Sequence, residues 1–239
     1  MKKVLFILTV LFALNSYSQK KKVAVVGFYT DKTIDLSDLG LNSLAAIADL
    51  GNNPSFNLSP ILDKYHNAFF NVYSKQFPFD LIPENEVIQK QEYIDFSPKY
   101  AKDEVGEKTI INYPGYKYIY EGTAGQANEV GTATIFKEIA DGVLFTEIHF
   151  TLVKGFAVGG TGTVKMKAYA RISLYDKTGK KVFVINEGAS SKKTGVIVGG
   201  IPVLTPEKVL PMCESALDEL LKDLDQKISK IIKKSAANF

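Results

Sequence analysis

Three groups of residues in this chain have types and spacings that could do chemistry. The run Ser190-Ser191-Lys192-Lys193-Thr194-Gly195 contains both an S-x-x-K and a K-T-G word, the serine–lysine vocabulary of nucleophilic acyl transfer. In enzymes that use these words they come from distant parts of the chain and converge on one nucleophile. Here they share Lys193 and fall in a single strand-end loop, so the match carries no active site. Glu147 and His149 stand two apart on one strand face and could ligate a metal. Zinc takes three or four ligands, however, and the only other histidine, His66, belongs to a helix far upstream. The pair therefore reads as exposed polar residues on a wet sheet face. Gly159-Gly160-Thr161-Gly162 has the glycines of a phosphate loop, but a strand follows where an anion would need a helix N-terminus. It reads as a hairpin tip. Cys213 is the sole cysteine and cannot close an internal disulfide. It is expected on the inner face of the last helix as a small apolar residue, with an intermolecular disulfide as the alternative. No catalytic, cofactor-binding or metal residue is expected, and the chain does not read as an enzyme.

The element that organises the rest spans about 142–188 and reads as three consecutive antiparallel strands. In its middle strand Val164, Met166, Ala168, Ala170, Ile172 and Leu174 alternate with Lys165, Lys167, Tyr169, Arg171, Ser173 and Tyr175, a period of two that buries one face and wets the other. Asp176-Lys177-Thr178-Gly179 turns the chain into KKVFVINEG. Amphipathic helices on both sides of this meander are available to cover its apolar face, so the expected class is α+β, with a mixed sheet and a long C-terminal helix.

Lys2 and Lys3 precede the apolar run Val4–Leu14 and the polar Asn15–Ser18, the pattern of an export signal cleaved after residue 18. A spanning helix needs ~20 apolar residues, which this run lacks. No cysteine stands near the cleavage point for lipid attachment. Residues 19–239 then form one α+β domain, soluble outside the cytoplasm. Removing the two signal lysines lowers the formal net charge from +3 to +1. Arg171 is the sole arginine, and nucleic-acid readers favour arginine for bidentate contacts, so that class is disfavoured.

Along the chain, Val23–Tyr29 is a continuous apolar run suited to a central strand buried on both faces. Leu36–Leu50 reads as a short helix or ordered loop. Ser59 as N-cap and Pro60 at the first position open a helix with Leu62, Tyr65, Phe69, Val72 and Tyr73 on its stripe. Pro78 ends it, Phe79–Ile82 forms a short strand, and Pro83–Glu86 begins another helix with acids in its first turn. Residues 94–130 dissolve into a long Tyr-, Gly- and Pro-rich loop, followed by a short helix near Ile135–Ile139. Thr205-Pro206-Glu207 starts the final helix, whose stripe runs from Val209 through Cys213, Leu217 and Leu224 to Ile232. Pro211 is expected to kink it or to delay its start.

The run IADGVLFTEI, the strand ending LYDKTGKKVF, the leucine-rich terminal helix, the opening VAVVGFYTDKT and the later FDLIPENEVI together resemble the α/β domain shared by the curli secretion-channel subunit, the N-terminal domain of TolB and related periplasmic proteins. The resemblance covers most of residues 19–239 in topology. The Tyr-rich segment and the missing lipidation cysteine depart from the channel subunit. It implies a non-enzymatic protein acting on other proteins in the periplasm or at the outer-membrane periphery of a Gram-negative bacterium. In the channel subunit the membrane-inserting hairpins arise at the two connections that correspond to 155–162 and 195–204 here, which implies a pore-forming oligomer as the alternative. A membrane strand needs ~9–11 residues, so these connections are too short unless the flanking strands contribute.

If the three strands run up, down and up, GFAVGGTG (155–162) and GVIVGGIPVL (195–204) emerge at the same end of the sheet. Both are glycine-rich and apolar, so they could form an exposed patch that docks a protein partner, touches the membrane, or packs on itself. The expected contact residues are Phe156, Val158, Val196, Ile197, Val198 and Ile201, with Tyr113, Tyr116 and Tyr118 from the long loop. The leading expectation is a protein-binding or assembly and secretion accessory factor. A small-ligand carrier beneath the tyrosines is a further alternative, and homo-oligomerisation stays open.

Overall fold

The structure is a computed structural model, and it describes residues 20–39, 50–99, 109–122, 126–235 and 239. The expected signal at 1–18, positions 40–49 of the Leu36–Leu50 segment, and part of the 94–130 loop lie outside the described residues.

The chain is α+β. One mixed sheet has the order β2-β1-β4-β5-β6-β7, with β3 pairing β1 as well. Here β1 is Lys22–Asp35, β2 Asp80–Leu81, β3 Ile110–Asn112, β4 Gly142–Val158, β5 Thr161–Asp176, β6 Lys181–Val198 and β7 Ile201–Pro202. The helices are α1 Ser59–Asn71, α2 Glu84–Ile88, α3 Gln91–Asp95, α4 Ala127–Phe136 and α5 Pro206–Ser235. Val23–Thr30 are buried without interruption because β1 is central, with β4 in parallel on one edge and β2 and β3 on the other, and both its faces are covered, Val23, Val25 and Phe28 entering one core and Ala24 and Val26 the other. From β4 to β7 every pairing is antiparallel.

One face of the sheet, the inner face, carries the main core. Leu144, Ile148, Leu152, Val164, Met166, Ala168, Ile172 and Ile185 meet α1 and the stripe of α5, where Val209, Met212, Cys213, Leu217, Leu220 and Leu224 are buried. Cys213 is fully enclosed, as its place on the stripe predicts. The outer face is covered only at the end of the sheet where β1 and β4 begin and β5 ends. There Ala24, Val26, Val143, Phe145 and Tyr175 pack against Val87, Tyr93, Ile119, Ala133 and Phe136, brought by α2, α3, α4 and the segment before α4.

Four expectations need correction. The meander does not stop near 188: β6 continues to Val198 and turns into β7, so Ser190–Gly195 is strand and not a strand-end loop. β6 contains a bulge in which Lys165 pairs Thr194 while Lys167 pairs Ser190, so that Ser191–Lys193 lie opposite Met166. The backbone amides of Lys192 and Lys193 turn aside there to Ser215 Oγ on α5. Residues 94–130 are not structureless: β3 and the start of α4 fall within them, and Tyr116 and Ile119 are buried. Ser59 is the first residue of α1 and caps nothing; Asn57 Oδ1 accepts from its amide instead. Finally, α5 begins at Pro206 and continues through Pro211, so the proline does not delay the helix start; its missing N–H costs one interior hydrogen bond without ending the helix.

Candidate docking surface at the distal end of the sheet

The two glycine-rich turns do lie side by side. Gly159 and Gly160 have φ of 59° and 80°, and Gly199 and Gly200 have 60° and 82°, the left-handed pairs that close two-residue hairpins at no Cβ cost. The amide of Gly200 donates to the carbonyl of Gly160 at 2.8 Å, so the β4–β5 and β6–β7 hairpins are joined at their tips. We call this the distal end. A cleft of about 300 Å³ opens beside it, between Leu39, Lys154 and the two turns.

Strand pairing assigns each residue there to a face. Ala157, Gly162, Ile197 and Pro202 form one cross-strand row, and Ile197 belongs to the inner core, where it is 7% exposed. The next row, Val158, Thr161, Val198 and Ile201, points to the outer face, as does the row containing Thr163 and Val196. Phe156 sits in the β4 bulge opposite Thr163, its amide accepted by Thr163 Oγ1 at 3.1 Å. By alternation from Ala157 it too points outward. Phe156 is 77% exposed, Val158 66%, Val198 63%, Ile201 64% and Val196 44%. Five of the six expected tip residues therefore make one exposed apolar face, and Ile197 does not belong to it. Two rows back the same face carries Lys165, then Lys167, whose ammonium lies 4.6 Å from the centre of the Tyr169 ring.

The tyrosines are elsewhere. Tyr113 and Tyr116 sit against β1 at the opposite side of the sheet and fill it from the inner face. Tyr113 stacks on His66 at 3.6 Å between ring centres, and both tyrosines meet Phe28. Tyr116 is 6% exposed, and burial pushes its hydroxyl pKa up, with the nearby Glu84 carboxylate adding to the shift. His66 Nε2 bonds Glu84 Oε1 at 2.7 Å. The space beneath these tyrosines is occupied by Phe28, His66 and Phe70. Tyr118 stands edge-on to Tyr29 at 5.0 Å on the outer face.

Glu147 is not the exposed strand residue that its alternation predicts. Its side chain is 15% exposed, accepts from Tyr29 Oη, and lies 3.8 Å from Arg171 Nε. Arg171 is shared with Glu121 at 3.6 Å, and Glu121 in turn accepts from Ser173 Oγ. Burial raises the Glu121 pKa, against the opposing pull of Ser173 and Arg171. Tyr175 Oη has no hydrogen-bond partner of normal geometry among the described residues, although the Glu121 carboxylate beside it adds to the rise in its pKa that burial causes. Sequence reasoning missed this network, which pins the 116–122 segment to β4 and β5. His149 is 6.5 Å from Tyr169, and His66 packs on Phe28 at the inner face, so the candidate metal ligands do not converge. Among the described residues no three His, Cys, Asp or Glu side chains are placed to hold a metal ion.

At the end opposite the turns, a groove of about 860 Å³ is lined by Lys20, Lys21, Lys22 and Lys137 together with Asp80, Glu86, Glu138 and Asp141. Its charges cancel, in contrast to the distal face. No described helix is long and apolar enough to cross a membrane.

No protein-family model matches the chain, and no curated protein does. Among solved structures it is similar to a Helicobacter pylori protein provisionally described as a neuraminyllactose-binding hemagglutinin homologue, at 9% identity and a TM-score of 0.40, covering 90% of this chain and 86% of that one. A Caulobacter crescentus protein provisionally described as a lipoprotein matches at 15% identity and a TM-score of 0.21, over 49% of this chain and 86% of its own. Neither description names a curli channel subunit or TolB.

Proposed function

We propose that this chain is an exported, non-enzymatic protein of a bacterial envelope that binds another protein through the distal outer face of its sheet, as an assembly or secretion accessory factor. The observation that carries the reading is the set of five apolar side chains exposed together on one face, Phe156, Val158, Val196, Val198 and Ile201. Monomeric soluble proteins rarely expose a contiguous apolar patch without a use for it. The export pattern at 1–18 and the resemblance to the curli-channel and TolB group support the compartment. The pore-forming alternative is less well supported: the strands are long, but Leu152, Val164 and Met166 are already buried against the helices, which leaves only the last few residues of each hairpin free. Ligand carriage beneath the tyrosines is not supported either, since aromatic rings fill that space.

The test is capture of crosslinked partners from the native envelope with the wild-type chain and with Val158→Asp plus Val198→Asp. Both substitutions fall on exposed positions and should cost less than about 1 kcal/mol each, so circular dichroism should stay unchanged while the partner is lost. Retention of the partner by the folded double variant removes the proposal.

A further inference from the structure

Resting on that docking reading, we infer that the occupant of the distal outer face is an amphipathic helix of another protein whose polar flank is acidic. The apolar rows and the lysine rows lie in fixed order. Same-face rows are two residues apart, ~7 Å along the strands, so the apolar strip is about 10–14 Å deep, which matches the ~10–12 Å diameter of one helix. Immediately behind it stand Lys165 and Lys167, neither with a carboxylate partner among the described residues. Nothing nearby in sequence offsets them: no Asp or Glu occurs from Ile148 to Tyr175 or from Gly188 to Pro206. The face is therefore apolar, then positive, and it lacks the acids that balance lysines elsewhere on the molecule.

Charge and geometry separate this occupant from the others. A second copy laid face to face with its strands parallel would set Lys165 and Lys167 against their own kind, a like-charge contact that disfavours pairing, and with its strands antiparallel it would carry them past the partner's turns with no carboxylate to meet. A bilayer entered tip first would receive the bare peptide groups of Gly159-Gly160 and Gly199-Gly200 before any apolar side chain, and hydrocarbon leaves such groups unsatisfied. An added strand would use an edge, whereas these side chains stand on the flat of the sheet. A helix satisfies its own backbone and covers a sheet face with one apolar stripe, as α5 does on the inner face.

The probe is a displayed library of amphipathic helices about five turns long, with acidic, neutral or basic flanks. It is selected on the full chain and counter-selected on Val158→Asp plus Val198→Asp. The expected result is enrichment of acidic flanks, with peptide binding at least about tenfold weaker to Lys165→Glu plus Lys167→Glu and restored to that variant when the peptide acids become lysines. Several results overturn the inference: no enrichment, enrichment of neutral or basic flanks, indifference to the lysine variant, binding of anionic phospholipid vesicles through the same residues, or self-association of the chain through this face. The two readings fail separately. If the native partner survives Val158→Asp plus Val198→Asp, docking itself is wrong. If that variant releases the partner and Lys165→Glu plus Lys167→Glu does not, docking stands and the acidic helix falls.

Discussion

Arg171 is the only arginine in the chain, and its position explains why it is there. A planar guanidinium can serve Glu121 and Glu147 at once, which a lysine ammonium does less well. Replacing it by leucine leaves two poorly exposed carboxylates without a cation, and urea unfolding should show a loss of about 3 kcal/mol or more. Glu121 sets a pH dependence of known sign. Its folded pKa lies above its unfolded value, so the stability it contributes is present in full below the unfolded pKa of about 4.5 and is lost as pH rises through the folded pKa. Relative to wild type, Glu121→Gln should therefore gain stability between about pH 4 and pH 7, and unfolding curves across that range check the direction. Cys213 is enclosed, and burial holds its thiol well above the ordinary range, so a thiol reagent should label it only as fast as the chain unfolds. This residue was legible in the sequence because a helical stripe tells which way a side chain points. Glu147 was not, because alternation says which face a residue takes and nothing about what lies across it. Its network depends on Glu121, which reaches Ser173 across 52 positions of chain.

At the scale of elements, the two hairpins show what a period of two can and cannot deliver. The alternation in β5 is unbroken and assigns each of its residues to a face, but its register with β4 and β6 shifts at bulges near Lys154 and Lys167 that alternation does not announce. In β6 the bulge at Ser190–Thr194 adds two residues and so keeps the phase, with Phe183, Ile185 and Ile197 all on the inner face, but the polar run Ser190–Thr194 carries no apolar alternation across it, so the direction of Ile197 and Val198 is read only from the pairing with Gly162 and Ile201. The difference is measurable. Ile197→Ala should cost about 2–4 kcal/mol by leaving a cavity under the sheet. Val198→Ala, one residue along, should stay within about 0.5 kcal/mol. Equal costs at the two positions would contradict the register. The doublet Gly199-Gly200 was itself a legible hairpin signal, but a strand as short as β7 leaves no periodicity to recognise.

At the scale of the molecule, the sheet has helices on both faces at the end where β1 and β4 begin and on the inner face alone toward the turns. Amides of β4–β6 beyond Lys165 should exchange with solvent faster than those near Leu144 and Ile172, and a bound partner should slow the distal set selectively. The pairing of β1 with β4 has a further consequence. Val23 meets Gly142 and Asp35 meets Thr151, partners more than a hundred positions apart, whereas β4, β5 and β6 each find a neighbour through a short turn. During synthesis, β1 leaves the ribosome long before the strand it must lie beside has been made. The most apolar run of residues 19–239 therefore waits unprotected while the other half is built, and the interval calls for a chaperone more than any property of the finished fold does.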